Sequence, residues 1–164
     1  MPCEVTTANH EDSTGILNCL HEAFEPYRSD YTPAGFLDTV LTPETLAQRF
    51  SFMSIFVVKD SSNTIVGTIG CNRIGDEGHI RGMAVRAAWQ GSGVAQLLLK
   101  AAESELEKQG CRRVTLDTTA PLERAIAFYK RNGYQHTGKV EDFFGMPLYE
   151  YAKALGLGLA RDSQ

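Results

Sequence analysis

The chain has 164 residues, 43% of them hydrophobic and 22% charged, an ordinary globular composition that excludes disordered, collagen-like and membrane-spanning classes. Against 20 Asp and Glu stand 16 Lys and Arg, a net charge of −4, so nothing in the charge supports a nucleic-acid groove. A length of this order predicts a single domain over residues 1–164, since domains run to roughly 100–200 residues.

In chain order, Cys3 to Thr7 is short and β-compatible, and Ser13 to Phe24 carries Ile16, Leu17, Leu20 and Phe24 at helical spacing. Between Pro26 and Phe50 the aromatic residues Tyr27, Tyr31 and Phe36 are interrupted by Pro33 and Pro43, which predicts a bent, partly helical excursion able to act as a lid. Ile55 to Lys59 and Thr64 to Cys71 are β-branched runs separated by DSSN, a hairpin signal. A further strand, His79 to Arg86, follows the GDEG turn. Val94, Leu97, Leu98, Ala101, Ala102 and Leu106 then recur at helical spacing up to Gly110, a C-terminal stop. Arg113 to Asp117 reads as a strand and Pro121 to Asn132 as a helix ending at Gly133. Tyr134 to Val140 and Met146 to Ala152 are the closing strands, and AKALGLGLA is read as a docked strand end or a frayed coil.

No basic leader with an apolar stretch precedes Glu4 and Val5, which predicts a cytoplasmic protein without membrane partners. Cys3, Cys19, Cys71 and Cys111 are scattered, with no C-x-x-C pair or histidine at ligand spacing, so buried reduced thiols are expected and no metal.

WQGSGVAQLLL, from Trp89 to Leu99, joins a strand to a helix. Such a junction presents unpaired N–H groups beside the positive end of the helix dipole, and its glycines let an anion come close. It lacks the lysine of a nucleotide-phosphate loop and the third glycine of a dinucleotide fingerprint, so ATP and NAD(P) are poor candidates.

Met83-Ala84-Val85-Arg86 followed by Gln90-Gly91-Ser92-Gly93-Val94-Ala95 resembles the signature of the GCN5-related N-acetyltransferase (GNAT) superfamily, whose acetyl-CoA loop reads Q/R-x-x-G-x-G/A. Ala125 to Tyr134, with the run FYKRNGY, is similar to the superfamily's second recurrent segment, F/L-Y-x-x-x-G-F/Y. Two motifs in the right order are far more specific than either alone. The detailed resemblance spans about Ile65 to Tyr134, while Ala8 to Phe52 resembles nothing informative.

The resemblance implies a mixed α+β fold with a central, mostly antiparallel seven-stranded sheet and helices on both faces. It implies acetyl transfer from acetyl-CoA to a primary amine of a small molecule or peptide, by direct attack in a ternary complex, with CoA as product. Main-chain groups of Met83, Ala84 and Val85 would pair with the pantetheine arm, and the amides of Gln90, Gly91, Ser92, Gly93, Val94 and Ala95 would hold the pyrophosphate. A bulge is common in that strand, and Gly82 makes a local distortion cheap. Tyr129 stands where many members place the acid that protonates the departing thiolate. The acceptor amine must lose a proton near the strand start, where Glu77 and His79 lie; His79 is preferred because histone-type relatives place a base glutamate there. Leu122 replaces the asparagine that many members use to help hold CoA.

The acceptor pocket of the superfamily is built from the early helices and the closing strand pair, which here offer Tyr27, Arg28, Tyr31 and Phe144 among others. Cys71 and Cys111 lie outside the motif positions, which argues against a covalent acetyl-enzyme. The alternative is a noncatalytic acyl-CoA-binding regulatory module. Many relatives form homodimers, but no segment from Met146 to Gln164 identifies an interface.

Overall fold

The computed structural model describes residues 3–156. Seven strands form one sheet: β1 (Glu4–Thr7), β2 (Ser54–Lys59), β3 (Ile65–Ile74), β4 (Glu77–Val85), β5 (Arg113–Thr118), β6 (Gln135–Phe143) and β7 (Met146–Ala154). Their order is β1-β2-β3-β4-β5-β7-β6, and every neighbouring pair is antiparallel except β4 and β5. The implied mixed fold with its mostly antiparallel seven-stranded sheet is what the chain adopts.

Local chemistry sets the joints. In the DSSN turn, Asp60 Oδ1 accepts hydrogen bonds from the amides of Ser62 and Thr64, both at 2.9 Å, which closes the β2–β3 hairpin. A parallel pair cannot be closed by a tight turn, and β4 reaches β5 through α4 (Val94–Lys108). The buried stripe of α4 is Val94, Leu98, Leu99, Ala102 and Leu106, whereas Leu97 is exposed. Stepping by four residues from Val94 keeps one face on the sheet, and Leu97 falls beyond its edge.

The excursion after α1 (Ser13–Phe24) is more regular than its prolines suggest. A 3-10 segment, Glu25–Asp30, is followed by α2 (Pro33–Val40) and α3 (Pro43–Phe50). Both prolines start helices instead of interrupting them: the Thr32 and Thr42 hydroxyls accept from the amides of Gly35 and Thr45, each at 3.1 Å. Proline is preorganised for the first helical position, where its missing N–H costs nothing. The expected lid is a packed layer.

Alternation along β2 shows how the sheet serves two cores. Ile55 and Val57 belong to a cluster with Ile16, Leu20, Val40 and Leu46 from α1 to α3. Val58 belongs to a second, on the opposite face, with Leu98, Ala102 and Leu106 of α4 and Tyr129 of α5 (Glu123–Arg131). Cys19, Cys71 and Cys111 are buried, and burial pushes the thiols of Cys19 and Cys71 up to about 12. Among the described residues no helix is long and apolar enough to cross a membrane. Ala152 to Ala154 of the apolar tail end β7, Leu155 is buried, and the tail from Leu157 onward lies outside the described residues.

Candidate active site

The site begins with a fault in the sheet. Thr68 pairs with Ala84 and Gly70 with Arg81, so Ile69 alone stands opposite two residues of β4, Gly82 and Met83. Gly82 has φ +67, a left-handed conformation that glycine adopts without strain. On its other edge β4 pairs with β5 only from Glu77 opposite Arg113 to Ile80 opposite Leu116. Past that point the two strands part around a cavity of about 900 Å³, large enough for an extended small molecule.

Met83, Ala84 and Val85 line one wall of this cavity, and Gln90, Gly91, Gly93 and Ala95 line its end. Gly93 is the N-cap of α4 with φ +95 and offers the first turn no side-chain acceptor, so those donors remain for a ligand. A Cβ at Gly91 or Gly93 would meet nothing within 4 Å, so the amides stand open to close approach. Ser92 does not line the cavity; its hydroxyl donates to the Trp89 carbonyl. The Val94 side chain is in the core, which leaves its main-chain N–H as its contribution. These features fit the diphosphate and amide-rich arm of CoA. Leu122 lines the same cavity, and nearby Gln96 Nε2 donates to Asn132 Oδ1 at 2.9 Å, tying α4 to α5. Arg86 is committed elsewhere, donating to the Ile65 carbonyl at 2.7 Å and to Glu22 at 2.6 Å.

Tyr129 projects from α5 into the cavity wall, and its hydroxyl donates to Met83 Sδ at 3.6 Å, directly beside the bulge. Phe128 and Tyr134 hold the ring edge to face, with centroids at 5.7 and 5.9 Å. Burial raises the phenol above its ordinary range, so it carries its proton throughout neutral pH.

His79 lies on the cavity wall and contacts Thr115 Oγ1 at 2.8 Å through Nδ1 and Asp117 Oδ2 at 3.5 Å through Nε2. Burial, reinforced by the charge of Arg81, pushes the imidazole down to about 4. The Asp117 contact is therefore one to a neutral ring, not an ion pair. Asp117 moves the other way: burial, with Glu150 and Glu141 nearby, holds its carboxyl above the usual range. The structure does not bring Glu77 to this place. It pairs with Arg113 at 2.7 Å at the far end of β4 and is absent from the cavity wall.

Of the expected acceptor residues, Tyr27 and Tyr31 line the cavity. Tyr31 is buried, and its hydroxyl bonds Thr119 Oγ1 at 3.0 Å, which pins the helical layer to the end of β5. Arg28 is turned outward, paired with Glu25 at 2.9 Å and stacked 4.2 Å over the Phe36 ring. Phe144 is exposed in the β6–β7 turn, and its neighbour Phe143 reaches the cavity instead. Sequence reasoning missed Asp117, Thr119 and Arg49, all on the cavity wall. For Asp117 a signal existed, because the strand RVTLD runs parallel to the motif strand; Arg49 carries none.

The family model described as the acetyltransferase (GNAT) family matches residues 16–134. An acetyltransferase of the GNAT family from Staphylococcus aureus has a similar structure, with a TM-score of 0.77 at 16% identity over 94% of this chain and 99% of that one. The PaiA N-acetyltransferase of Thermoplasma acidophilum, solved in complex with coenzyme A, gives 0.77 at 18% identity, covering 94% and 99%. The ribosomal-protein-S18-alanine N-acetyltransferase of Escherichia coli gives 0.74 at 17%, covering 94% of each chain.

Proposed function

The chain belongs to the acetyltransferase (GNAT) family, and from that premise we propose that it transfers an acetyl group from acetyl-CoA to a primary amine by direct attack. The observation that carries this reading is the parting of β4 and β5 at the Gly82 bulge, with the Tyr129 hydroxyl on one side and the bare α4 terminus at the end. Acetyl-CoA supplies an activated thioester. Main-chain groups of Met83 to Val85 hold and orient it, and the amides of Gly91, Gly93, Val94 and Ala95 bind its diphosphate, those of Gln90 and Ser92 donating instead to the Ala87 and Trp89 carbonyls at 3.3 Å. Tyr129 keeps a proton at its hydroxyl for the sulfur.

The amine must arrive as an ammonium ion and lose a proton. His79 and Asp117, in contact on the acceptor side, form the proton-accepting pair of this reading. Asp117 attracts the cation, and the neutral ring fixes the carboxylate and shares the proton. Cys71 and Cys111 are buried and are absent from the cavity wall, which supports direct attack over an acetyl-cysteine. The one-domain reading rests on a sheet that takes strands from both ends of the described chain.

The test is thiol release from acetyl-CoA over a panel of amino acids, polyamines, aminoglycosides and peptide amines, with Tyr129→Phe alongside and CoA binding followed by calorimetry. Release with one acceptor class, lost in the variant while CoA still binds, is expected. Binding without release on any acceptor or acyl donor would leave the regulatory acyl-CoA module as the function.

A further inference from the structure

Arg49, near the end of α3, has 9% of its surface exposed. A guanidinium carries five fixed N–H donors and a charge, and burying it without partners is unfavourable. Among the described residues Arg49 forms no ion pair, and its one side-chain hydrogen bond runs from Nη2 to the main-chain oxygen of Asp38 at 3.4 Å, long for a charged donor. The Asp38 carboxylate is taken by Arg81, at 3.3 Å. The one carboxylate near both guanidinium groups thus goes to Arg81, and the more buried Arg49 is left with a main-chain oxygen. Burial and the charge of Arg81 push Arg49 down to about 10, so it remains a cation at neutral pH.

The head of Arg49 sits at the bulge. Its Nη1 lies 3.1 Å from the place a Cβ on Gly82 would occupy, and Arg49 and Arg81 both line the cavity. The charge of Arg49 is felt at His79 on the same wall. Arg49 also lines a small, mostly apolar cavity with Ile16, Leu20, Leu46, Met53 and Ile55, surroundings that suit a methionine, which strands no charge there. The same cavity also carries carboxylates: Asp38, held by Arg81, and Asp117, in contact with His79. One cavity therefore presents an unpaired guanidinium and, at Asp117, a carboxylate with no partner within salt-bridge distance among the described residues other than the neutral His79.

We propose that Arg49 anchors a carboxylate of the acceptor, so that the amine acetylated here belongs to an amino-carboxylate molecule of the free amino-acid type. The carboxylate accepts hydrogen bonds from the guanidinium, and the ammonium group is turned toward Asp117 and His79. This inference rests on the transfer reading above and adds the acceptor class to it.

The experiment measures kcat/KM for matched amines that differ only in the carboxylate, such as tyrosine against tyramine and lysine against cadaverine, with acetyl-CoA and the full chain. Wild type is expected to prefer the carboxylated member at least tenfold. Arg49→Met is expected to cut that ratio at least tenfold, chiefly through KM, with no fall in thermal midpoint. Arg49→Lys, which keeps the charge but not the fork, restores part of the ratio and covers the case of a methionine variant that fails to fold. A wild type that favours the decarboxylated amines overturns the anchor and leaves the transfer reading standing. So does a variant that loses kcat equally on both members, the result expected if Arg49 serves the thioester carbonyl. Absence of release with every amine removes the transfer reading and this inference with it.

Discussion

Tyr129 and His79 show how burial chooses a protonation state. Tyr129 is shut among Phe128, Tyr134 and Met83, where an ionised phenol is disfavoured, and a phenol that holds its proton can give it to a thiolate. Phenylalanine keeps the ring contacts, so Tyr129→Phe is expected to reduce turnover by roughly 10²- to 10⁴-fold while calorimetry shows CoA binding unchanged. His79 is buried neutral, with its pKa moved from 6.5 to about 4. A folded-state value below the unfolded one means that protonation favours the unfolded chain. Stability is therefore full above pH 6.5 and falls as pH drops toward 4, by up to about 3 kcal/mol from this residue. Asp117, raised, works in the opposite sense. The check is denaturant unfolding at pH 7 and pH 5 for wild type and His79→Gln; the variant should lose less on acidification. At this scale motifs were legible: the resemblance placed Tyr129, and the glycine pattern placed the loop. Position along β4 brought forward Glu77 and His79, and the resemblance preferred His79. In the structure His79 lines the cavity, whereas Glu77 pairs with Arg113 away from it.

Among the elements, the loop from Gln90 to Gly93 and the bulge at Gly82 are the parts whose backbone dictates a residue type. Gly93, at φ +95 with open space around its Cβ position, has no packing role to lose. Gly93→Ala is expected to cost about 1 kcal/mol of strain, seen as a drop of about 2–4 °C in thermal midpoint, yet to raise the KM for acetyl-CoA at least tenfold. Gly82→Ala should cost more, because the added carbon meets Arg49 as well as an unfavourable φ of +67, and turnover should fall with it. The helical layer was the least legible element. Thr-Pro at 32–33 and 42–43 is a helix-start signal, but a proline-rich stretch between aromatic residues also reads as irregular chain, and only packing on Ile55 and Val57 decides between them. Arg49 belongs to that layer. Nothing local distinguishes it from a solvated arginine; the small cavity it lines is shared with residues of α1, β2 and β4, distant in sequence.

For the molecule as a whole, the two cores lie on opposite faces of a sheet whose central joint, β4 to β5, is bonded at one end only. The resemblance made the fold class legible because alternating strand patterns and a terminated helix agreed with it. The cavity was legible in outline only: the resemblance pointed to the early helices and the closing strand pair, which do line it, but not to β5 or Arg49, which meet them from distant parts of the sequence. A ligand that bridges the open joint stabilises the folded state by mass action. CoA at a hundred times its dissociation constant is expected to add about 2.7 kcal/mol, a rise of about 5–10 °C in thermal midpoint. Beyond Ile80 the edge of β4 that faces β5 has no partner strand, so amide hydrogens pointing that way from residues 81–85 should exchange with solvent faster than those of Glu77–Ile80. An amide-bearing arm laid along this edge takes the place of the strand. In deuterium-uptake measurements acetyl-CoA should therefore slow exchange at residues 81–85, and the parted edge becomes a built-in reporter of cofactor occupancy that needs no label and no turnover.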